Sequence, residues 1–431
     1  MHHSLKIICF VLALAVLAFV NEDEERLVEF WAAKATKSLR RTWKEELQFK
    51  YTRGGARKRP KNVILVMLDG LGVTTAARTA IYKSNYHGST AYSGAPPVWE
   101  TFPSMGFLKT YSLDSYAGDL ASGSTAFFHG HKANIGTVGL NGRIRAVKEH
   151  LKYAKQLDDS ESILRIMKAL EWKVGIVTNG VVTAGTIAPL FACNPLVNFQ
   201  VDSKIPSALE TKLKDTAFQL LQNSNLWDIV LGGGSEYFYK NVDEDFFHTT
   251  AAEHCLESKP SVHLSTHMIM GNVEAASAYV DFEESLTKLV DEVNFNETLL
   301  IVTSTTAPAF LMSGAKSRLD PLFNYDSFMP TPLDGVDFNG MFYASGPKPE
   351  NPHTGRKTRM DYSNIERNKF AFAQESYADF WQNLNSGEDV PIFAKGPFQE
   401  VFRGVHDNTF MYHAIKWIFC ISPFESEQHC C

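Results

Sequence analysis

Asp69 is the first residue whose type and place suggest chemistry. It ends the apolar run VILVML (63–68) and opens Asp69-Gly70-Leu71-Gly72, so a carboxylate stands at a strand end beside glycines that let a backbone approach a ligand. It reads either as a residue serving a metal or phosphate group, or as the cap of the following helix, VTTAARTA. The second informative stretch is KTYSLDSYAGDLASGSTAFFHGHKANIGTVGL (109–140). Its Gly, Ser and Thr cluster before AFFHG predicts a helix N-terminus, where a nucleophile or an anion could sit. His129 and His131 flank Gly130 in this stretch and read as polar site contacts or as packed histidines. His263 and His267, with His254 and Glu257 nearby, could share a helix face as zinc ligands or lie on the surface. The glycines at 232–234 resemble a phosphate loop only loosely. There is no Walker motif, paired CxxC or Gly-x-Ser-x-Gly elbow.

Such residues need a scaffold, and the apolar pattern supplies one. VILVML (63–68), KVGIVT (173–178), DIVL (228–231) and LLIVT (299–303) are short runs bounded by polar residues or glycine. Helical patterns lie between them, ESILRIMKALEW (161–172) and ALETKLKDTAFQLLQ (208–222) among them. Buried strands alternating with helices predict an α/β fold with a mostly parallel sheet covered on both faces, with ligands at the carboxyl ends of its strands. Residues 22–50 carry Leu27, Phe30, Trp31, Ala35 and Leu39 at helical spacing, an amphipathic arm whose stripe packs on a partner subunit or on its own body. RGGARKRP from Arg53 breaks that arm. The stretch from about 312 to 380 is rich in Pro, Asn, Asp and aromatics without a clear period, and predicts a loop-rich insertion.

The 431 residues suffice for a sizeable core, and 44% apolar with 21% charged residues excludes disorder, collagen and coiled coil. A net charge of −6 with no basic stripe argues against nucleic-acid binding. His2, His3 and Lys6 precede an apolar stretch from Ile7 to Val20, and Val16-x-Ala18 offers small residues for cleavage, so 1–18 reads as a signal peptide and the protein as secreted, with an uncleaved anchor as the alternative. The C-terminus lacks the hydrophobic tail of a lipid-anchor signal. Without the signal segment five cysteines remain: Cys420 with Cys430 or Cys431 would close a small C-terminal loop, while Cys193 and Cys255 are a pair or two buried thiols. Asn296-Glu297-Thr298 is a glycosylation sequon.

The motifs NVILVMLDGLGVTTAAR (62–78), FPSMGFLKTYSLD (102–114), HKANIGTVGL (131–140), VGIVT (174–178), WDIVLGGG (227–234) and SGEDVPIFAKGP (386–397) give the chain, from Lys61 on, a close resemblance to secreted alkaline phosphatases. The resemblance implies a three-layer α/β/α sandwich, dimeric, with an N-terminal helix and a crown at the interface. The arm and the insertion fit those places. It also implies phosphomonoester hydrolysis by a serine between two zinc ions, with a magnesium nearby and an arginine clamping the phosphate.

Carried over position by position, the resemblance implies a dismantled site. Asp69 falls on the carboxylate bridging zinc and magnesium, and Asp119 on the residue before the nucleophile. The nucleophile position is Leu120, which has no hydroxyl, with Ser122 and Ser124 as candidates in a shifted register. A metal-side histidine falls on Ala184, while Thr186 keeps a hydroxyl at the magnesium side. The arginine falls on Leu209. The Asp and His after a later strand fall on Thr305 and Thr306, and a zinc histidine on Asn385. The block bearing further ligands has no counterpart. The expectation is a protein inactive in phosphomonoester hydrolysis, with no cofactor, that binds a ligand or pairs as a homodimer or as a heterodimer with an active homologue. The alternative is an enzyme using zinc and magnesium, either a weak phosphomonoesterase or a hydrolase with a site rebuilt from Ser122, Asp69, Asp119 and the displaced histidines. A storage or structural protein is a third reading.

Overall fold

The computed structural model describes residues 26–42, 59–86, 96–146, 161–206, 213–238, 272–312, 340–346, 376–380, 383–427 and 429–430. Its helices are α1 (Val28–Thr42), α2 (Val73–Tyr86), α3 (Leu120–His129), α4 (Ile163–Ala169), α5 (Thr216–Gln222), α6 (Asn272–Glu292) and α7 (Phe410–Ile418). Its longer strands are β1 (Asn62–Met67), β2 (Ser104–Lys109), β3 (Gly175–Val181), β4 (Ile229–Gly233) and β5 (Thr298–Thr303). They are followed by β6 (Ala307–Pro308), β7 (Phe310–Met312), β8 (Met341–Gly346), β9 (Ser376–Asp379), β10 (Asn385–Ser386), β11 (Val390–Lys395) and β12 (Gly404–Asp407).

The central sheet has the order β1-β5-β11-β2-β12. β1 and β5 pair in parallel, as do β2 and β12, while β11 runs antiparallel to both its neighbours. Four of the five strands therefore point one way, as the apolar runs predict, and β11 is the exception. β5 explains the layering. Side chains alternate across a strand, so Leu299 and Ile301 enter one core with α3 and α7 residues such as Phe127 and Ala414. Leu300 and Val302 enter the other, with Ala76 of α2 and Tyr279 and Leu286 of α6. The result is an α/β/α sandwich. β3 and β4 pair in parallel as a separate two-stranded sheet among the described residues.

Several expected elements change in extent. Of the pattern at 208–222, residues 208–212 lie outside the described residues, and α5 starts at Thr216, where the Asp215 carboxylate accepts the Phe218 amide at 2.6 Å and caps the helix. The pattern at 161–172 stops at Ala169, where Glu171 takes a left-handed φ of 63°. The loop-rich reading of 312–380 is corrected for the described part, where β8 and β9 join β7 in a three-stranded sheet. Its inner face, Phe310, Met341 and Tyr343, packs on Ile81 and Tyr82 of α2.

Of the two readings for the arm, the structure gives packing on its own body. Trp31, Ala35 and Leu39, four residues apart, are buried, and α1 lies against α7 and β12. Lys34 pairs with Asp407 at 2.7 Å and Arg40 with Glu427 at 3.0 Å. Leu27 is exposed and lies outside the stripe. Cys420 and Cys430 form a disulfide, whereas Cys193 Sγ donates to the Gly139 carbonyl at 3.3 Å. Residues 1–18, expected to be a signal peptide, and Cys255 lie outside the described residues. No helix among the described residues is long and apolar enough to cross a membrane.

Candidate functional site

Five chain segments meet where the parallel strands end. The turn after β1 is tied to the turn after β5: the Gly70 amide donates to Ser304 Oγ at 3.2 Å, and the Leu68 amide donates to the Thr303 carbonyl at 2.8 Å. The loop before α3 is tied to β10 through Asn385 Nδ2, which donates to the Gly118 carbonyl at 3.0 Å. Gly123, in the first turn of α3, lies so close to Thr305 that a Cβ there would sit 2.9 Å from the Thr305 Cβ. The turn after β3 joins them, since a Cβ on Gly185 would approach Ala121 Cβ to 3.2 Å. Asp69, Asp119, Leu120, Ala184, Thr186, Thr305, Thr306 and Asn385 thus belong to segments that meet in one region. Leu209 and the His254, Glu257, His263 and His267 group lie outside the described residues.

Asp69 is half-buried, and burial pushes its carboxyl up to about 6 from an ordinary 3.8. Its backbone carbonyl accepts the Tyr279 hydroxyl at 2.5 Å. It does not cap the next helix: the Val73 amide donates instead to Glu388 Oε1 at 3.0 Å. Burial also raises the Glu388 pKa. Glu388, within SGEDV (386–390), carries no local signal for this role, because its partner is 315 residues away.

Asp119 is the N-cap of α3. Its carboxylate accepts the amides of Ser122 at 2.9 Å and Gly136 at 3.0 Å. Burial raises its pKa, and these bonds partly offset the rise. Ser122 completes the capping box: its Oγ accepts the Asp119 amide at 3.2 Å and donates to the Asp119 carbonyl at 3.3 Å. The hydroxyl in a shifted register is therefore part of the helix start. Ser124 is fully buried, and its Oγ has no hydrogen-bond partner among the described residues. Leu120, half-buried, is the first helical residue. Thr305 and Thr306 are buried with hydroxyls likewise unpartnered among the described residues. Ser124, Thr305 and Thr306 thus place three unpartnered hydroxyls in α3 and just after β5 among the described residues.

A catalytic zinc site needs at least three protein N, O or S ligands. Here Asp69 offers one carboxylate, Thr305 and Thr306 offer neutral hydroxyls, Ala184 offers a methyl, and the Asn385 amide nitrogen is spent on Gly118. This donor set does not fit a pair of zinc ions. His129 and His131 lie behind the site. His129 Nε2 is 2.6 Å from the Pro189 carbonyl, His131 Nδ1 is 3.4 Å from the Lys132 carbonyl, and both rings are buried. Both are packed side chains. Gly234, the last of the three glycines, takes a φ of 96° to start the turn after β4.

A family model described as alkaline phosphatase matches residues 60–255 and 265–421. The chain is 23% identical to an alkaline phosphatase of Gadus morhua, over 93% of this chain and 98% of that protein. It is 24% identical to the tissue-nonspecific alkaline phosphatase isozyme of Rattus norvegicus, over 96% and 92%. Among solved structures, the Thermus thermophilus alkaline phosphatase superposes with a TM-score of 0.51 at 16% identity, covering 83% of this chain and 91% of that one. A magnesium-bound variant of TAB5 alkaline phosphatase gives 0.50 at 19% identity, covering 84% and 98%.

Proposed function

The chain belongs to the alkaline phosphatase family, and within it we propose a secreted member that has lost phosphomonoesterase activity and works through its surfaces. One observation carries this reading: the position that would attack phosphorus is Leu120, while Ser122 is held in the capping box and Ser124 is enclosed in the core. The donor set around Asp69 agrees, because without metal ions nothing there stabilises charge on a transferred phosphoryl group. The test is zinc per chain by elemental analysis together with p-nitrophenyl phosphate turnover, with and without added zinc and magnesium. Near-zero zinc and no turnover above a blank are expected. Two zinc ions with chelator-sensitive turnover would reject the proposal. Leu120→Ser is expected to remain inactive, since one hydroxyl restores neither the ligands nor the electrostatics. Turnover in that variant would show that the ligand set is sufficient after all.

Its role is the binding of a phosphate-bearing or other extracellular ligand, or pairing with itself or with an active member of the family. Co-purification with such a homologue tests the heterodimer: exclusive homodimers or monomers would remove it. Export is supported by the apolar N-terminal stretch, the Cys420–Cys430 disulfide and the sequon. Asn296 is exposed in the turn between α6 and β5, where a glycan meets no packing surface. Protein from a secretory host is expected to lose mass on glycosidase treatment, and Asn296→Gln to abolish that shift; an unchanged mass would exclude a glycan at this residue.

A further inference from the structure

The C-terminal loop brings two sulfurs and an imidazole together away from the strand-end site. His429 Nε2 lies 3.7 Å from Cys420 Sγ and 3.5 Å from Cys430 Sγ. With metal–sulfur bonds of about 2.3 Å and metal–nitrogen bonds of about 2.0 Å, a tetrahedral zinc site has N···S edges of about 3.5 Å. Both N···S edges are therefore already in place. The ring is held between Trp417, 3.7 Å away, and Phe398, 5.7 Å away between centroids, which fixes its orientation as a supporting shell does for a metal-bound histidine. All three residues are partly exposed, so reductant and ion can reach them.

We propose that Cys420, His429 and Cys430 form a redox-gated site for a thiolate-seeking divalent cation of the zinc and cobalt class. In the oxidised chain both sulfurs are committed to each other. Two equivalents of a monothiol reduce that bond: the disulfide takes up two electrons and two protons, and the reductant leaves as its own disulfide. The cation then binds both sulfurs as thiolates and releases two protons to solvent. The Arg59 guanidinium donates to the Cys430 carbonyl at 3.4 Å and so places a cation on the backbone of this loop.

The imidazole must exchange one bond. Its Nε2 now lies 2.7 Å from the Trp417 carbonyl, to which it donates, and on binding the proton moves to Nδ1. That carbonyl is not orphaned, because the Cys420 amide also donates to it at 3.1 Å. The three protein donors leave a fourth position for water.

The test is cobalt(II) titration of the full chain, oxidised and after reduction with a water-soluble phosphine, which leaves as its oxide with water supplying the oxygen. The reduced protein is expected to take up one cobalt with a thiolate-to-cobalt charge-transfer band and the intense visible bands of tetrahedral cobalt, both erased by zinc. The oxidised protein is expected to show neither. Cys420→Ser should abolish the charge-transfer band. His429→Ala, whose disulfide and fold can be verified in the oxidised form, should weaken binding by at least about tenfold and dim the visible bands. No charge-transfer band in the reduced wild type would overturn the proposal, as would wild-type titrations from Cys420→Ser or His429→Ala.

Discussion

A His131→Asn variant is expected to lose less stability on acidification than the wild-type protein, by about 3 kcal/mol between pH 7 and pH 4. His131 is buried, and desolvation, reinforced by His129 and His413, lowers its pKa from 6.5 to about 3. Burial likewise lowers His413 to about 4. The unfolded chain takes up these protons just below pH 6.5, whereas the folded chain resists them until pH 3–4. Stability from each neutral histidine is therefore complete above pH 6.5 and declines through that window. The geometry explains why the rings stay neutral. His131 and His129 have centroids 5.8 Å apart, and His413 Nε2 lies 2.9 Å from the Gly130 carbonyl that separates them. A charge on one ring would face the others, with Lys416 also near His413. Asp69 works in the opposite direction, because its raised pKa makes the folded state gain stability as pH falls from about 6. The comparison with His131→Asn isolates the histidine from that contribution, since asparagine keeps an N–H for the Lys132 carbonyl and does not titrate. Urea unfolding of both proteins at several pH values is the measurement, and parallel profiles would show that His131 is not held neutral.

Trp31→Ala is expected to destabilise the protein by about 3–5 kcal/mol, the range for removing a buried aromatic. Trp31 is completely buried, yet it belongs to a helix joined to β1 through a segment rich in glycine and charge. The Lys132 ammonium lies 5.8 Å from the Trp31 ring and 3.7 Å from the Tyr111 ring. The Tyr111 hydroxyl donates to Asp407 at 2.9 Å, and Lys34 of α1 pairs with the same carboxylate. Truncating the indole would open a cavity beside a buried ammonium. Denaturant unfolding and limited proteolysis of α1 would report the loss, and a change below about 1 kcal/mol would mean that the arm contributes little to its own body. Size-exclusion chromatography of the same variant separates this role from the other one open to an amphipathic arm: a change in oligomeric state with unchanged stability would place the stripe on a partner.

The strand-end site was legible in the sequence because strands leave strong local signals. Apolar runs of four to six residues ending in Asp, Asn, Gly or Ser fixed β1, β3, β4 and β5, and ligands in such sheets gather at strand ends. Residue type at a fixed position also needs no coordinates, so the resemblance by itself sets Leu120, Ala184, Thr305, Thr306 and Asn385 at the positions on which the proposed loss of activity rests.

Tertiary structure alone decided what the remaining groups do. Ser122 has a hydroxyl on any reading, and only the α3 start shows that hydroxyl closing a capping box with Asp119. Gly123 becomes a constraint only because Thr305, on a separate strand end, packs against it. Asp69 failed as a helix cap because Glu388 took the Val73 amide. The side to which the arm stripe turned rested on Asp407 and α7, far along the chain. Local sequence sets dihedral preference and hydrophobic period, which specify elements. The partner of a carboxylate, a hydroxyl or an indole is set by which distant residue the fold brings within about 3–4 Å, and no local pattern encodes that distance.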